Sequence, residues 1–261
     1  MTFLPVVERE LRVAARRSST YRFRVWVVGA AVAVAGVLWW PTVVANAVGV
    51  AFPGTGFSGR TLFSTLSGLL LILCLVEGSR STAGAISEER SEGTLALLFL
   101  TELSSYDLVL GKWVGRALRP LFALLAVLPV LSLSVPMGGV SGGEFWRTAL
   151  ALLGTVCFSL SLGLAVSALS ANGQRALLWS LGAMAFVSVL PLLAGEVLRA
   201  IGSPTLARFV SVTSPIAAFI ASPDLRYARA KGDFWVPWSF CLAASALMLG
   251  FAAWATARAW Q

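Results

Sequence analysis

The 261-residue sequence contains no histidine. That absence alone excludes a Ser-His-Asp triad, a Cys-His dyad and an HExxH metal site. Cysteine is nearly as scarce. Cys74, Cys157 and Cys241 are an odd set without paired spacing, so neither a disulfide framework nor a zinc site is indicated. All three fall inside apolar runs and read as small core residues. Charge is thin too, at 12% of residues against a usual share of about 25%. The balance is +8, but the basic residues are spread over the ends of apolar runs. Anionic lipid headgroups, not nucleic acid, are the expected counter-charge. No catalytic residue, metal site or bound cofactor is expected, and the chain reads as a non-enzyme.

What the chain has in quantity is apolar surface: 57% hydrophobic residues and ten tryptophans, with a mean hydropathy of +0.82. This is the composition of an integral membrane protein. A hydrocarbon layer about 30 Å thick needs roughly 20 mostly apolar residues per helix. Six such stretches are present, at about 25–48, 61–76, 113–135, 145–169, 176–194 and 234–257. They are apolar all round and lipid permits no open strand edge, so an all-α fold with six transmembrane helices follows. Pro41, Pro129 and Pro191 fall within or at the ends of these stretches and should kink or end helices without abolishing them. Residues 1–24 are expected to form a cytoplasmic amphipathic arm and 25–261 the six-span domain. A long arginine-rich arm precedes the first span and no cleavage site is evident, so a cleavable signal peptide is not expected. Trp26, Trp39, Trp40, Trp146, Trp235 and Trp238 are expected in interfacial belts.

Basic residues mark the cytoplasmic side. With both termini inside, thirteen of the twenty Lys and Arg residues fall inside, and most of the remainder sit in one long outer loop, 195–233. Both termini are therefore expected in the cytoplasm. In the arm, Leu4, Val7, Leu11 and Ala14 repeat at helical spacing while Arg9, Arg12 and Arg16 take another face. That pattern describes a helix lying on the membrane surface, serving as an anchor or as a partner contact.

The first outer loop imitates several motifs. Gly54, Gly56 and Gly59 satisfy GxGxxG, Gly54 to Thr61 resembles a phosphate loop with Arg60 in the lysine position, and Gly56-Phe57-Ser58-Gly59 resembles the nucleophile motif of rhomboid proteases. The nucleotide motifs need a preceding strand and the serine needs a histidine. The loop therefore reads as a flexible turn. The long loop carries an apolar run, Phe209 to Ala221, too short to span and too apolar for water. A re-entrant or interfacial helical hairpin capping the outer end is expected there. Glu77, at the inner end of the second span, has Arg80 one turn on as its natural partner in an interfacial ion pair.

The segment from Gly84 to Arg116 interrupts the apolar chain and carries Glu88, Glu89, Glu92, Glu102 and Asp107, five of twelve acidic residues. Ser104 and Asp107 form a capping box for the helix into the third span. Lys112, Arg116 and Arg119 then follow at i, i+4 and i+7, a basic stripe able to snorkel to headgroups or to face a cytoplasmic partner. Ile86, Glu89, Arg90, Gly93, Thr94, Leu95 and Leu98, followed by Thr101, Leu103, Ser104, Leu110, Gly111 and Lys112, together resemble the signature of type 2 ABC transporter permeases. Glu102 stands where that family often has proline.

The resemblance implies a permease subunit, an exporter by expectation, that forms its pathway as a homodimer or heterodimer in the bacterial inner membrane. It implies separate ATPase subunits holding ATP and magnesium, and a cytoplasmic coupling helix seated in a groove of the ATPase. Ile86, Glu89, Arg90, Gly93, Thr94, Leu95 and Leu98 are the residues it points to. Other readings are a haem or cytochrome-maturation permease, a non-transporting scaffold that recruits an ATPase, and an intramembrane hydrolase.

Overall fold

A computed structural model of the chain describes residues 18–48, 59–87, 105–170 and 172–260. The described residues form nine helices and no strand: α1 (Ser18–Val48), α2 (Gly59–Thr82), α3 (Ser105–Ser132), α4 (Gly142–Leu169), α5 (Gly173–Ala200), α6 (Pro204–Val212), α7 (Ala217–Ala221), α8 (Asp224–Arg229) and α9 (Gly232–Trp260). Six of them, α1 to α5 and α9, are long and apolar enough to cross a membrane. The fold is thus the expected all-α, six-span architecture. The helices outrun the apolar windows because a helix does not stop where hydrocarbon does. At 28 residues, α3, α4 and α5 each reach about 42 Å, the thickness of a bilayer with its headgroup zones. α1 is continuous across residue 24, so the expected boundary between arm and first span falls within one helix. The amphipathic arm, residues 1–17, lies outside the described residues.

α4 is the axis of the bundle. In its apolar window 78% of residues are buried, against 6% for α1. Small and hydroxylated side chains make this possible, since without water to drive apolar burial, helices in lipid associate through close backbone contact and interhelical hydrogen bonds. Gly78 of α2 lies against Ser159, where a Cβ would overlap the hydroxyl. Gly163 lies against α2, where a Cβ would overlap Thr82 Oγ1 and stand 2.9 Å from the Ser79 carbonyl. Across this contact Ser159 Oγ donates to the Cys74 carbonyl (3.0 Å) and Thr82 Oγ1 to the Leu160 carbonyl (3.0 Å). On the opposite flank α9 docks through Trp238, whose indole N–H donates to the Leu150 carbonyl (3.0 Å). Trp238 is therefore half-buried on α4 and not in a lipid-facing belt, whereas Trp26, Trp39, Trp40, Trp146 and Trp235 are exposed.

Pro120 and Pro129 lie inside α3, Pro191 inside α5 and Pro237 inside α9, and each helix continues through them. α6 folds back along α5. Ala207 is fully buried there and its carbonyl sits 3.2 Å from where a Cβ on Gly195 would be. The turn after α6 reaches deep into the bundle. Ser214 Oγ donates to the Ser188 carbonyl (2.7 Å), and Thr155 Oγ1 donates to the Pro215 carbonyl (3.4 Å). Thr155 lies about 20 Å along α4 from its start, roughly its midpoint. The chain then climbs back through α7, where Ala218 and Ala221 pack with Ala151 and Phe234. The apolar run 209–221 thus has its partner surface on α4, α5 and α9.

Candidate functional site

Two polar clusters sit at opposite ends of the bundle. The first is built on the C-terminal end of α2 and leads into the signature segment. A helix end leaves carbonyls without intrahelical donors and carries partial negative charge. Here the stripe on α3 supplies the donors. Lys112 Nζ donates to the Ala85 carbonyl (2.6 Å) and Arg116 Nη1 to the Ser81 carbonyl (2.9 Å). Arg119 Nε lies 2.8 Å from Glu77 Oε1. α3 runs antiparallel to α2, so residues spaced i, i+4 and i+7 on one helix meet residues at matching intervals on the other. The basic stripe is therefore turned onto the protein's own backbone and carboxylate.

Glu77 is buried, with 7% of its side chain exposed. Arg80 holds it in a two-pronged pair, Nε to Oε2 at 2.9 Å and Nη2 to Oε1 at 3.1 Å. Arg119, the second cation, also stacks on Phe23 of α1, 4.3 Å from the ring centroid. One carboxylate thus joins α2 and α3, and Arg119 extends the tie to α1. The Arg80 pair was legible because it is local. The Arg119 contact was not, because it depends on the register of α2 against α3.

Beyond Thr82 the chain turns through residues 83–87. Ile86 is 1% exposed and packs with Ala85, Val109, Leu164 and Ala252. Within the expected coupling segment Ile86 is an apolar anchor, packed into the bundle. The Ile86 and Ser87 amides both donate to Ser167 Oγ on α4 (3.0 and 3.1 Å). Sequence reasoning missed Ser167, one serine among many on α4, whose role depends on which turn of the chain it faces. Glu89, Arg90, Gly93, Thr94, Leu95 and Leu98 lie outside the described residues, as does Ser104 of the expected capping box. Asp107 stands in the first turn of α3, where a carboxylate complements the helix dipole.

The second cluster closes the other end. Ser141 caps α4 by accepting from the Glu144 amide (3.0 Å). Glu144, 3% exposed, accepts from the Asp224 amide (3.4 Å) and lies 3.7 Å from Arg60. Arg147 donates through Nε to the Ser222 carbonyl (3.0 Å), pairs with Asp224 and stacks on Tyr227 at 4.2 Å. The Ser141 hydroxyl, and after it the Arg147 guanidinium, hold the Asp224 carboxyl below its ordinary range. Arg60, in the lysine position of the phosphate-loop look-alike, is thus committed to Glu144 and to the Gly139 carbonyl (3.1 Å). The cluster ties the return of the 204–230 segment to α4.

Among the described residues no group of three or more Cys, Asp or Glu could hold a metal ion. The geometry serves mechanical attachment: one end of α2 and the start of the signature segment are fastened to α3 and α4.

Comparison with known proteins gives the family. Residues 68–258 match the family described as ABC-2 family transporter protein. The probable ABC transporter permease protein NosY of Pseudomonas aeruginosa is 29% identical over 243 residues, spanning 85% of this chain and 83% of the relative. The family match runs from within α2 to near the end of α9 and takes in both clusters apart from Phe23 and Arg60, together with the signature segment. With six apolar crossings, α4 the most buried of them, the chain belongs to the ABC-2 transporter family and is a multi-pass membrane permease.

Proposed function

We propose that this permease pairs with a second permease subunit and couples to separate ATP-hydrolysing subunits through residues 84–104, working as an exporter of the bacterial inner membrane with both termini in the cytoplasm. ATP and magnesium belong to the partner, and this chain contributes no hydrolytic site. The observation that carries the reading is the double clamp at the start of the signature segment, Ser167 on the Ile86 and Ser87 amides and Lys112 on the Ala85 carbonyl. A segment that receives force from a motor must be stiffly joined to the helices it moves. This one is joined to α4, the most buried helix, and to α3. ATP-driven closure of the partner would then turn α3 and α4 as a body, a rigid-body switch of access from one face to the other. The deep turn at Ser214 and Pro215 would lie within the hydrocarbon layer as a re-entrant plug.

Glu89 and Arg90 are the proposed contacts on the motor. The double variant Glu89→Ala, Arg90→Ala should insert normally, lose ATPase co-purification by about tenfold, the loss of roughly 1.4 kcal/mol of contact energy, and abolish transport-linked ATP hydrolysis in vesicles. Normal co-purification together with normal hydrolysis would overturn this assignment.

A further inference from the structure

α1 leans on α3 and stands away from α2, and the gap between them is an apolar cleft of about 330 Å³. Its floor is deeply buried: Ala31 of α1, Leu66 and Leu70 of α2, and Val127 of α3. Its rim is open, with Trp26 75% and Leu69 47% exposed. No polar side chain lines it. An empty apolar void forfeits dispersion contacts along its whole lining, so within a bilayer hydrocarbon is the natural filling.

Length and charge identify the chain that fits. From Phe23 to Val34 the cleft follows α1 for about 16 Å, close to one leaflet of a hydrocarbon layer about 30 Å thick. At the Phe23 end the register of α1 changes abruptly to cationic. Arg22 stands one turn before Trp26 and Arg24 one turn before Val27, both exposed. Arg24 lies over Phe122 at 5.3 Å, and among the described residues no carboxylate is paired with either arginine. The neighbouring carboxylate, Glu77, is already engaged by Arg80 and Arg119. The opposite end of the cleft, at Val34 and Leu66, has no comparable charge.

We propose that this cleft is the binding site of one anionic phospholipid, with an acyl chain laid between α1 and α2 and the phosphate held by Arg22 and Arg24. The lipid completes the packing of α1, of whose described side chains the protein alone buries only Ala31. The site rests on the membrane location of the chain and is independent of how the permease couples to its motor.

The test is native mass spectrometry of delipidated full-length protein, titrated separately with phosphatidylglycerol and with phosphatidylcholine. The first phosphatidylglycerol per chain should bind roughly thirtyfold more tightly, the preference two surface arginines confer. Arg22→Gln with Arg24→Gln should abolish the preference while leaving residual binding of both lipids. Ala30→Phe, which fills the cleft from its rim, should remove the tight site for either lipid. If that variant does not fold, Leu69→Trp makes the same test from α2. Equal affinity for the two lipids, a preference that survives the double arginine change, or a tight site that survives filling of the cleft would each overturn the proposal. So would photo-crosslinking from Trp26 that captures residues 1–17 or a second copy of the chain in place of lipid.

Discussion

Glu77 is approached by two guanidiniums that differ in what surrounds them. Arg80 sits on the same helix with 47% of its side chain exposed, while Arg119 comes from α3, is 29% exposed and is covered by Phe23. Water can replace the carboxylate for Arg80 more readily than for Arg119. Removal of the carboxylate itself leaves two cations facing each other in a largely buried place. Glu77→Gln should therefore destabilise by about 1–3 kcal/mol, Arg119→Gln by less, and Arg80→Gln by about 1 kcal/mol at most. Thermal unfolding in micelles reads this order directly. Equal losses for Arg80→Gln and Glu77→Gln would mean that the local pair dominates and the tie between helices is incidental. The Glu77–Arg80 pairing could be read from spacing alone, because three residues on a helix always put two side chains on one face. The roles of Ser167 and Arg119 could not, since each is set by a neighbour some 40 to 80 positions away along the chain.

At the level of helices, the crossing of α2 and α4 is decided by glycine. At Gly163 the neighbouring atoms are a hydroxyl and a main-chain carbonyl of α2, and a backbone cannot step aside as a flexible side chain can. Gly163→Ala should force the two helices apart and destabilise by about 1–3 kcal/mol. Gly182 of α5 has nothing within 4 Å, so Gly182→Ala should be neutral or stabilise by up to about 1 kcal/mol through helix propensity alone. Chemical denaturation of both variants makes the comparison. Similar behaviour of the two would show that α2 and α4 are not held by close approach. The segment 204–230 illustrates the limit of pattern reading at this scale. Its apolar run gave the expectation of a re-entrant or interfacial helical hairpin. Hydropathy could not say that the turn at Ser214 would reach the level of Ser188 on α5 and Thr155 on α4, because depth is fixed by tertiary hydrogen bonds.

For the molecule as a whole, alternating crossings place the Glu77 cluster and the Glu144 cluster on opposite sides of the membrane, with Arg24 and Arg258 at the Glu77 side. If that side is cytoplasmic, single cysteines introduced at Ser81 and Arg258, in a variant whose Cys74, Cys157 and Cys241 are replaced by alanine, should react with a membrane-impermeant maleimide only after lysis. A cysteine at Arg226 should react in intact spheroplasts. The reverse pattern would put the signature segment out of a motor's reach. Composition and hydropathy by themselves determined that the chain lives in lipid, that it is all helical and that it crosses six times, because hydrocarbon tolerates no unpaired backbone and sets the length of every crossing. The signature residues, read as a block, determined the family. Only the tertiary structure decided that α4 is the axis, that the basic stripe closes on α2, that Ile86 is buried and that α1 leaves a cleft beside α2. Helices apolar on every side carry no mark of which face meets which neighbour. That choice falls to the few small, hydroxylated and charged side chains whose partners are found only when the bundle is assembled.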